Sequence, residues 1–149
     1  MRRIAALIAV SVAVGVALPA APATAASPEA VMFKTINQIR RSYGLARMHP
    51  SLSLFYSARR YARRMMRSGY FGHLSRISLT RRFRMAGETL AWHSGWRLSP
   101  RQTVGQWMGS PSHRALLLSS SFTRLGVGHA RGNYGGRRVT MWVAHLARP

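Results

Sequence analysis

Apolar and polar positions alternate along this chain in four distinct ways. Arg2 and Arg3 precede an uncharged apolar stretch from Ile4 to Leu18, then Pro19 and small residues. Ala23-Thr24-Ala25 fits the A-x-A rule, which predicts an export signal over residues 1–25 cut after Ala25 or Ala26. The stretch falls short of the roughly 20 residues that a membrane span needs, so no transmembrane helix is expected after cleavage. Beyond it the period becomes helical. Ser27-Pro28 reads as N-cap and first turn of a helix running to about Tyr43, stopped by Gly44, with Val31, Ile36 and Ile39 on its apolar side. Pro50-Ser51 opens a second helix to about Ser68, stopped by Gly69. Leu52, Phe55, Ala58, Ala62 and Met65 recur there at three- and four-residue steps, the mark of a buried stripe.

The second half mixes short helices with strands. Ser78 to Met85 predicts a short helix ended by Gly87, and Glu88 to His93 an extended, partly buried segment. Ser99-Pro100-Arg101-Gln102 carries a capping-box pattern for a helix to about Met108. Ser110-Pro111 then starts another from Ser112 to Leu118. Two strands close the chain near Leu125–Ala130 and Val139–Leu146, with Gly132–Gly136 between them. In the last, Val139, Met141 and Val143 alternate with Thr140, Trp142 and Ala144. Both faces carry bulk, so helices are expected on both sides of this strand. The pattern gives one domain over residues 28–149, with helices outside a small sheet.

Charge changes the picture most. The 149 residues carry 23 Lys+Arg against 2 Asp+Glu, formally +21; Lys34 is the sole lysine. Loss of the signal removes two arginines and leaves 124 residues at +19. Arg59, Arg60, Arg63, Arg64 and Arg67 gather on the second helix, and such a surface attracts polyanions in a salt-sensitive way. An exported protein meets anionic lipid headgroups, acidic glycans and teichoic acids; nucleic acid is not expected as a natural partner. With no aspartate, EF-hand, Walker-B and kinase chemistry are excluded. With two acids, one of them near the mature N-terminus, a two-carboxylate glycosidase is excluded as well. The absence of cysteine removes thiol nucleophiles, disulfides and Cys-type zinc sites.

What chemistry remains rests on histidines and on Glu88. His73 follows the glycine-flanked turn Gly69-Tyr70-Phe71-Gly72, Glu88 sits in Gly87-Glu88-Thr89-Leu90-Ala91, and His113 falls in the first turn of a helix. Two imidazoles and a carboxylate can hold zinc with one position open for water. They can equally be a structural set in which Glu88 accepts hydrogen bonds from a histidine or an arginine. A Ser110 or Ser112/His113/Glu88 triad lacks a nucleophile elbow. Trp107 reads as core. Of the other histidines, His93 could line a cleft rim, while His49, His129 and His145 read as surface or strand positions. Glu29, in a first helical turn, suits the helix dipole.

Several of these segments, in order, resemble the boxes of the CAP superfamily. This is the SCP domain of cysteine-rich secretory proteins, antigen 5 and pathogenesis-related proteins. The boxes are Asn37-Gln38-Ile39-Arg40 with Gly44-Leu45, Ala58 to Met65, and Gly69-Tyr70-Phe71-Gly72-His73. They continue through Gly87-Glu88-Thr89-Leu90-Ala91 (family G-E-N-I/L-A) and Trp107-Met108-Gly109-Ser110-Pro111-Ser112-His113-Arg114 (bacterial W-M-x-S-P-G-H-R). Phe122 to Gly128 resembles the following F-x-x-x-G-V-G strand. The resemblance spans about residues 30–146 and implies an α+β fold, a three-layer α-β-α sandwich.

It also implies a cleft that in many members has two histidines and two acids and binds a divalent metal, zinc or another. The histidines fall on His73 and His113 and one acid on Glu88. The second acid, three residues after the tryptophan, falls on Ser110, which is expected to cap its helix. The asparagine falls on Thr89. At most three ligands therefore remain. The expected function is a secreted, monomeric bacterial binding module for lipid or anionic envelope components. The alternatives are a metal-dependent hydrolase with Glu88 as base, and an extracellular interaction protein with a structural cleft.

Overall fold

The computed structural model describes residues 25–74, 83–97 and 99–149. The signal segment, up to residue 24, and most of the Ser78–Met85 helix expectation lie outside the described residues. Eight elements follow in order: α1 (Pro28–Ser42), β1 (His49–Pro50), α2 (Leu52–Ser68), β2 (Met85–Ser94), α3 (Pro100–Gly109), α4 (Pro111–Leu118), β3 (Arg124–Tyr134) and β4 (Arg137–Arg148). They form a four-stranded sheet in the order β1-β3-β4-β2, with β1 parallel to β3 and the other neighbours antiparallel.

β4 lies inside the sheet and is buried from Val139 to Ala147. Its alternation sorts two cores. Trp142, Ala144 and Leu146 face Met32 and Ile36 of α1, Val104 and Trp107 of α3 and Leu117 of α4. Val139, Met141 and Val143 face Ala58, Tyr61, Ala62 and Met65 of α2. Helices on both faces of one sheet give the three-layer α-β-α sandwich expected from the doubly apolar strand.

The helix ends follow their sequences in part. Ser27 Oγ accepts from the Ala30 N–H at 3.2 Å and Pro28 starts α1; Gly69 closes α2 in the left-handed conformation, φ +62°. Ser99 and Ser110 occupy N-cap positions, but neither side chain makes a capping bond, so the expected capping box and serine cap do not form. Met85 opens β2 and Gly87 lies within it, instead of ending a helix. On α2 the buried face is Leu54, Ala58, Tyr61, Ala62 and Met65, whereas Leu52 is exposed and Phe55 half-buried. The helix starts two residues after Pro50, because Pro50 is held in β1 beside Leu125. That phase carries Leu54 inward.

The glycines of Leu125-Gly126-Val127-Gly128 have a packing reason. A Cβ on Gly126 would sit 2.1 Å from the Phe55 nitrogen, and one on Gly128 would sit 2.2 Å from the Arg59 nitrogen. The α2 backbone rests directly on β3 at these two points. Arg40, buried in the opposite layer, spends its guanidinium on carbonyls: Nε donates to Ala46 O at 2.9 Å and Nη1 to Leu117 O at 2.7 Å. Burial pulls its pKa below the ordinary arginine value.

Candidate functional site

Glu88 sits in edge strand β2, two residues before Leu90 on the α2 face. The β2–β4 register sets it directly opposite His145, which continues the series Val139, Met141, Val143 along the same face. His145 Nε2 lies 2.9 Å from Glu88 Oε2. His73, in the segment after α2, places Nδ1 2.9 Å from Glu88 Oε1, and the Leu74 N–H donates to the same oxygen at 3.1 Å. Burial by itself would raise the Glu88 pKa. Hydrogen bonds from His145, the Leu74 N–H and His73 outweigh it and hold the carboxyl below the ordinary carboxylate range.

An ionised carboxylate only accepts, so both imidazoles must donate to it. That fixes two tautomers: His73 carries its proton on Nδ1 and turns Nε2 away from Glu88, and His145 donates through Nε2. His145 is fully buried and its Nδ1 has no partner among the described residues, whereas the His73 side chain is 57% exposed. The result is a chain from a sealed imidazole through a buried carboxylate to an imidazole open to solvent. Tyr61 packs alongside, its ring stacked 6.4 Å from that of His145, and donates its hydroxyl to the Gly72 carbonyl in the turn that carries His73. Burial, then the charges of Glu88 and Tyr70, raise the Tyr61 pKa. A cleft of about 230 Å³ opens beside His73, lined also by Tyr61, Arg64 and Tyr70.

His113, in the first turn of α4, brings its ring centroid to 6.0 Å from that of His73. Burial, and then the neighbouring His73, lower its pKa. The structure thus brings His73 together with both Glu88 and His113, and adds His145, which the sequence reading placed among unassigned strand positions. The signal for His145 was the two-residue period of β4, extended one step past Val143.

One other expectation moves. Thr89 does not share the cleft with Glu88. Consecutive strand residues point to opposite faces, and Thr89, fully buried opposite Ala144, leaves its Oγ1 without a partner among the described residues. Trp107 is core, donating Nε1–H to Leu90 O at 2.9 Å and so tying α3 to β2. Ser110 Oγ lies 3.4 Å from Ser112 Oγ.

For a divalent metal, the donor set offers the His73 and His113 imidazoles and stops there. Both Glu88 oxygens already accept hydrogen bonds, from His145 on one side and from His73 with the Leu74 N–H on the other, so ligation by Glu88 would compete with them. Among the described residues no group of three or more metal-ligating side chains is assembled. Glu88 instead stands behind His73, where a carboxylate orients an imidazole.

The arginines of α2 divide. Arg60, Arg63, Arg64 and Arg67 are exposed. Arg59 turns toward Glu29, its Nη2 3.5 Å from Oε1, and lies 5.3 Å from the Phe55 ring centre. With Tyr56, the arginines Arg59, Arg60, Arg63 and Arg67 line an open groove of about 310 Å³. Glu29 is buried in the first turn of α1, and its Oε1 is 2.8 Å from His129 Nδ1 without the alignment of a hydrogen bond. Burial lowers the His129 pKa, against the opposing pull of Glu29.

The pattern of the CAP family, described as the cysteine-rich secretory protein family, matches residues 33–146. The uncharacterized membrane protein YlbC of Bacillus subtilis is 31% identical over 115 residues, covering 71% of this chain and 32% of YlbC. The chain therefore spans about a third of that relative. An extracellular SCP-domain protein of Bacillus anthracis superposes with a TM-score of 0.65 at 23% identity, over 82% of this chain and 40% of that one. An outer surface protein of Borrelia burgdorferi does so with a TM-score of 0.64 at 21% identity, over 79% of this chain and 90% of that one.

Proposed function

Since the chain belongs to the cysteine-rich secretory protein family, we propose that it is a secreted binding module for lipid or anionic components of a cell envelope. One observation carries this reading. The two acids of the chain are both buried, each against histidine, so the exposed surface bears arginines with no acidic side chain to neutralise them. The α2 groove concentrates that charge around an exposed tyrosine. Charge of one sign at this density draws anionic surfaces at low ionic strength and releases them as salt screens it. Similar proteins that are extracellular or on the outer surface support export. Among the described residues no helix is long and apolar enough to cross a membrane.

The test is co-sedimentation of the mature protein with anionic vesicles, neutral vesicles and purified cell walls across a salt series. The reading expects recovery on anionic material that falls steeply with salt, and a clear loss in an Arg60→Ala/Arg63→Ala/Arg67→Ala variant. Equal recovery on neutral and anionic material contradicts it.

A second reading, a metal-dependent hydrolase, draws on the adjacency of His73 and His113. In it those two imidazoles would hold a divalent ion, which supplies Lewis-acid chemistry when bound. Glu88 would position His73 in place of acting as ligand or base. Stoichiometric zinc that His73→Ala and His113→Ala abolish while staying folded supports this reading. Absence of metal from protein exposed to zinc, by elemental analysis, removes it. If both assays are blank, an extracellular interaction protein with a structural cleft is what remains.

A further inference from the structure

At the end of the sheet away from Glu88, β2 stops at Ser94 opposite Val139. β3 and β4 run on without it through the pairs Asn133–Arg138 and Tyr134–Arg137. Gly135 and Gly136 then turn the chain at φ +55° and +75°. Two left-handed residues in succession are what a two-residue hairpin loop requires, so the sheet finishes in a two-stranded tip. Two tryptophans flank this end, Trp92 at 41% exposure and Trp96 at 48%.

The two rings lie on opposite faces of the sheet. Trp92 alternates with Glu88 and Leu90 on the α2 face, and its ring leans on Tyr134, centroids 6.3 Å apart. Trp96 packs against the other face, where Arg138 follows the alternation of Thr140 and Trp142. The Arg138 guanidinium lies 4.8 Å from the Trp96 ring centre, and Arg131 Nη1 donates to the Trp96 carbonyl at 3.4 Å. The turn that carries Trp96 is itself held. Gly95 N–H donates to Arg138 O at 2.6 Å, and the Thr140 hydroxyl donates to Gly95 O at 3.0 Å. Neither tryptophan is therefore a loose surface ring. Arg131, Arg137 and Arg138 are exposed around them. No acidic side chain pairs with these arginines, since Glu29 and Glu88, the two acids of the chain, pair with other groups.

A tryptophan joins an apolar ring to a polar N–H, the combination favoured at a membrane–water boundary. Unneutralised arginines beside it match anionic headgroups. Rings on two faces of a sheet cannot close on one small molecule, but a plane laid across the end of the sheet meets both. We propose that this end of the sheet docks on an anionic lipid bilayer. Trp92 and Trp96 enter the headgroup region, and Arg131, Arg137 and Arg138 pair lipid phosphates. The proposal rests on the reading of the protein as an envelope-binding module; it selects lipid as the component and this end as the place. The α2 arginines then supply long-range attraction, and the sheet end supplies insertion.

The probe is vesicles of equimolar phosphatidylglycerol and phosphatidylcholine, with phosphatidylcholine alone as control and tryptophan fluorescence as readout. Trp107 and Trp142 are buried in the core, so a change on binding reports Trp92 and Trp96. The mature wild type is expected to bind the anionic vesicles, shift its emission to shorter wavelength and be quenched by bromine on the acyl chains. Trp92→Ala/Trp96→Ala should weaken vesicle binding about tenfold with unchanged circular dichroism, and Trp92→Phe/Trp96→Phe should restore most of it. Arg137→Ala/Arg138→Ala, on the exposed tip, should also weaken it about tenfold, and carries the test if the alanine pair fails to fold. Arg60→Ala/Arg63→Ala/Arg67→Ala should bind less yet show the same quenching per bound molecule. Bound wild type that bromine does not quench overturns the proposal, and so does undiminished binding by Arg137→Ala/Arg138→Ala. Binding to cell walls but not to vesicles overturns it in favour of a polymer. An emission shift that follows protein concentration without vesicles overturns it in favour of a second copy. The envelope reading survives each of these as long as salt-sensitive sedimentation on cell walls or anionic vesicles persists. It falls only when sedimentation on both fails.

Discussion

Glu88 and Glu29 are the two acids of the chain, and each lies buried against an imidazole. Glu88 accepts aligned bonds from His73, His145 and the Leu74 N–H. Glu29 has an unaligned contact with His129 and a longer one with Arg59. The decisive difference is the exposure of the partner. His73 opens to solvent beside a cleft and next to His113, whereas the His129 side chain is 14% exposed and its ring lies tilted, 4.8 Å from the core Trp142 ring. Glu29 joins α1, α2 and β3. Glu88 holds an imidazole where a ligand can reach it. The same pair of residue types makes a tie in one place and a candidate site in the other.

Both regions depend on α2, which carries Arg59 and leads into His73. Gly128→Ala, whose methyl would enter the Arg59 backbone, should break both at once and cost about 3 kcal/mol. Denaturant unfolding measures it, and a cost below about 1 kcal/mol would show that α2 can lift off β3 freely. Glu88→Gln should cost about 2 kcal/mol, because an amide places a donor against one of two imidazole N–H groups. Glu29→Gln should cost about 1 kcal/mol, since its partners are looser and Arg59 is partly exposed. Equal costs for the two would erase the contrast.

The contrast also has a pH signature. His113 and His129 have folded pKa values below their ordinary 6.5, so the unfolded chain takes up protons first and stability is lost as pH falls below about 6.5. Glu88 is held below its ordinary 4.5; its contribution is present above that value and is lost as pH falls through the lower folded value. Thermal midpoints against pH should fall in these two stages. His129→Gln should shrink the first and Glu88→Gln the second. His73→Ala, at the exposed end, should cost about 1 kcal/mol or less.

The pattern along the chain carried the layers, because β4 is apolar on both faces and the α1 and α2 ends are written in Ser27, Pro28 and Gly69. It also carried His73 and Glu88 as candidates. The partner of Glu88 was harder to read. Pairing His145 with it takes the β2–β4 register, a contact across 57 positions that local pattern does not encode. The phase of α2 depended on Pro50 pairing with Leu125 in β1, again a tertiary event, and so Leu52 changed places with Leu54. Ser99 and Ser110 show that a capping residue in the right position still needs the right side-chain orientation.

The claim that Glu88 aims an exposed imidazole can be read directly from a long-range proton–nitrogen NMR spectrum of the histidine rings at neutral pH. The account predicts His73 protonated at Nδ1 and His145 at Nε2 in the wild type. In Glu88→Ala, His73 should revert to the ordinary mixture of tautomers. A wild-type His73 with its proton on Nε2 alone, unchanged by Glu88→Ala, would contradict it.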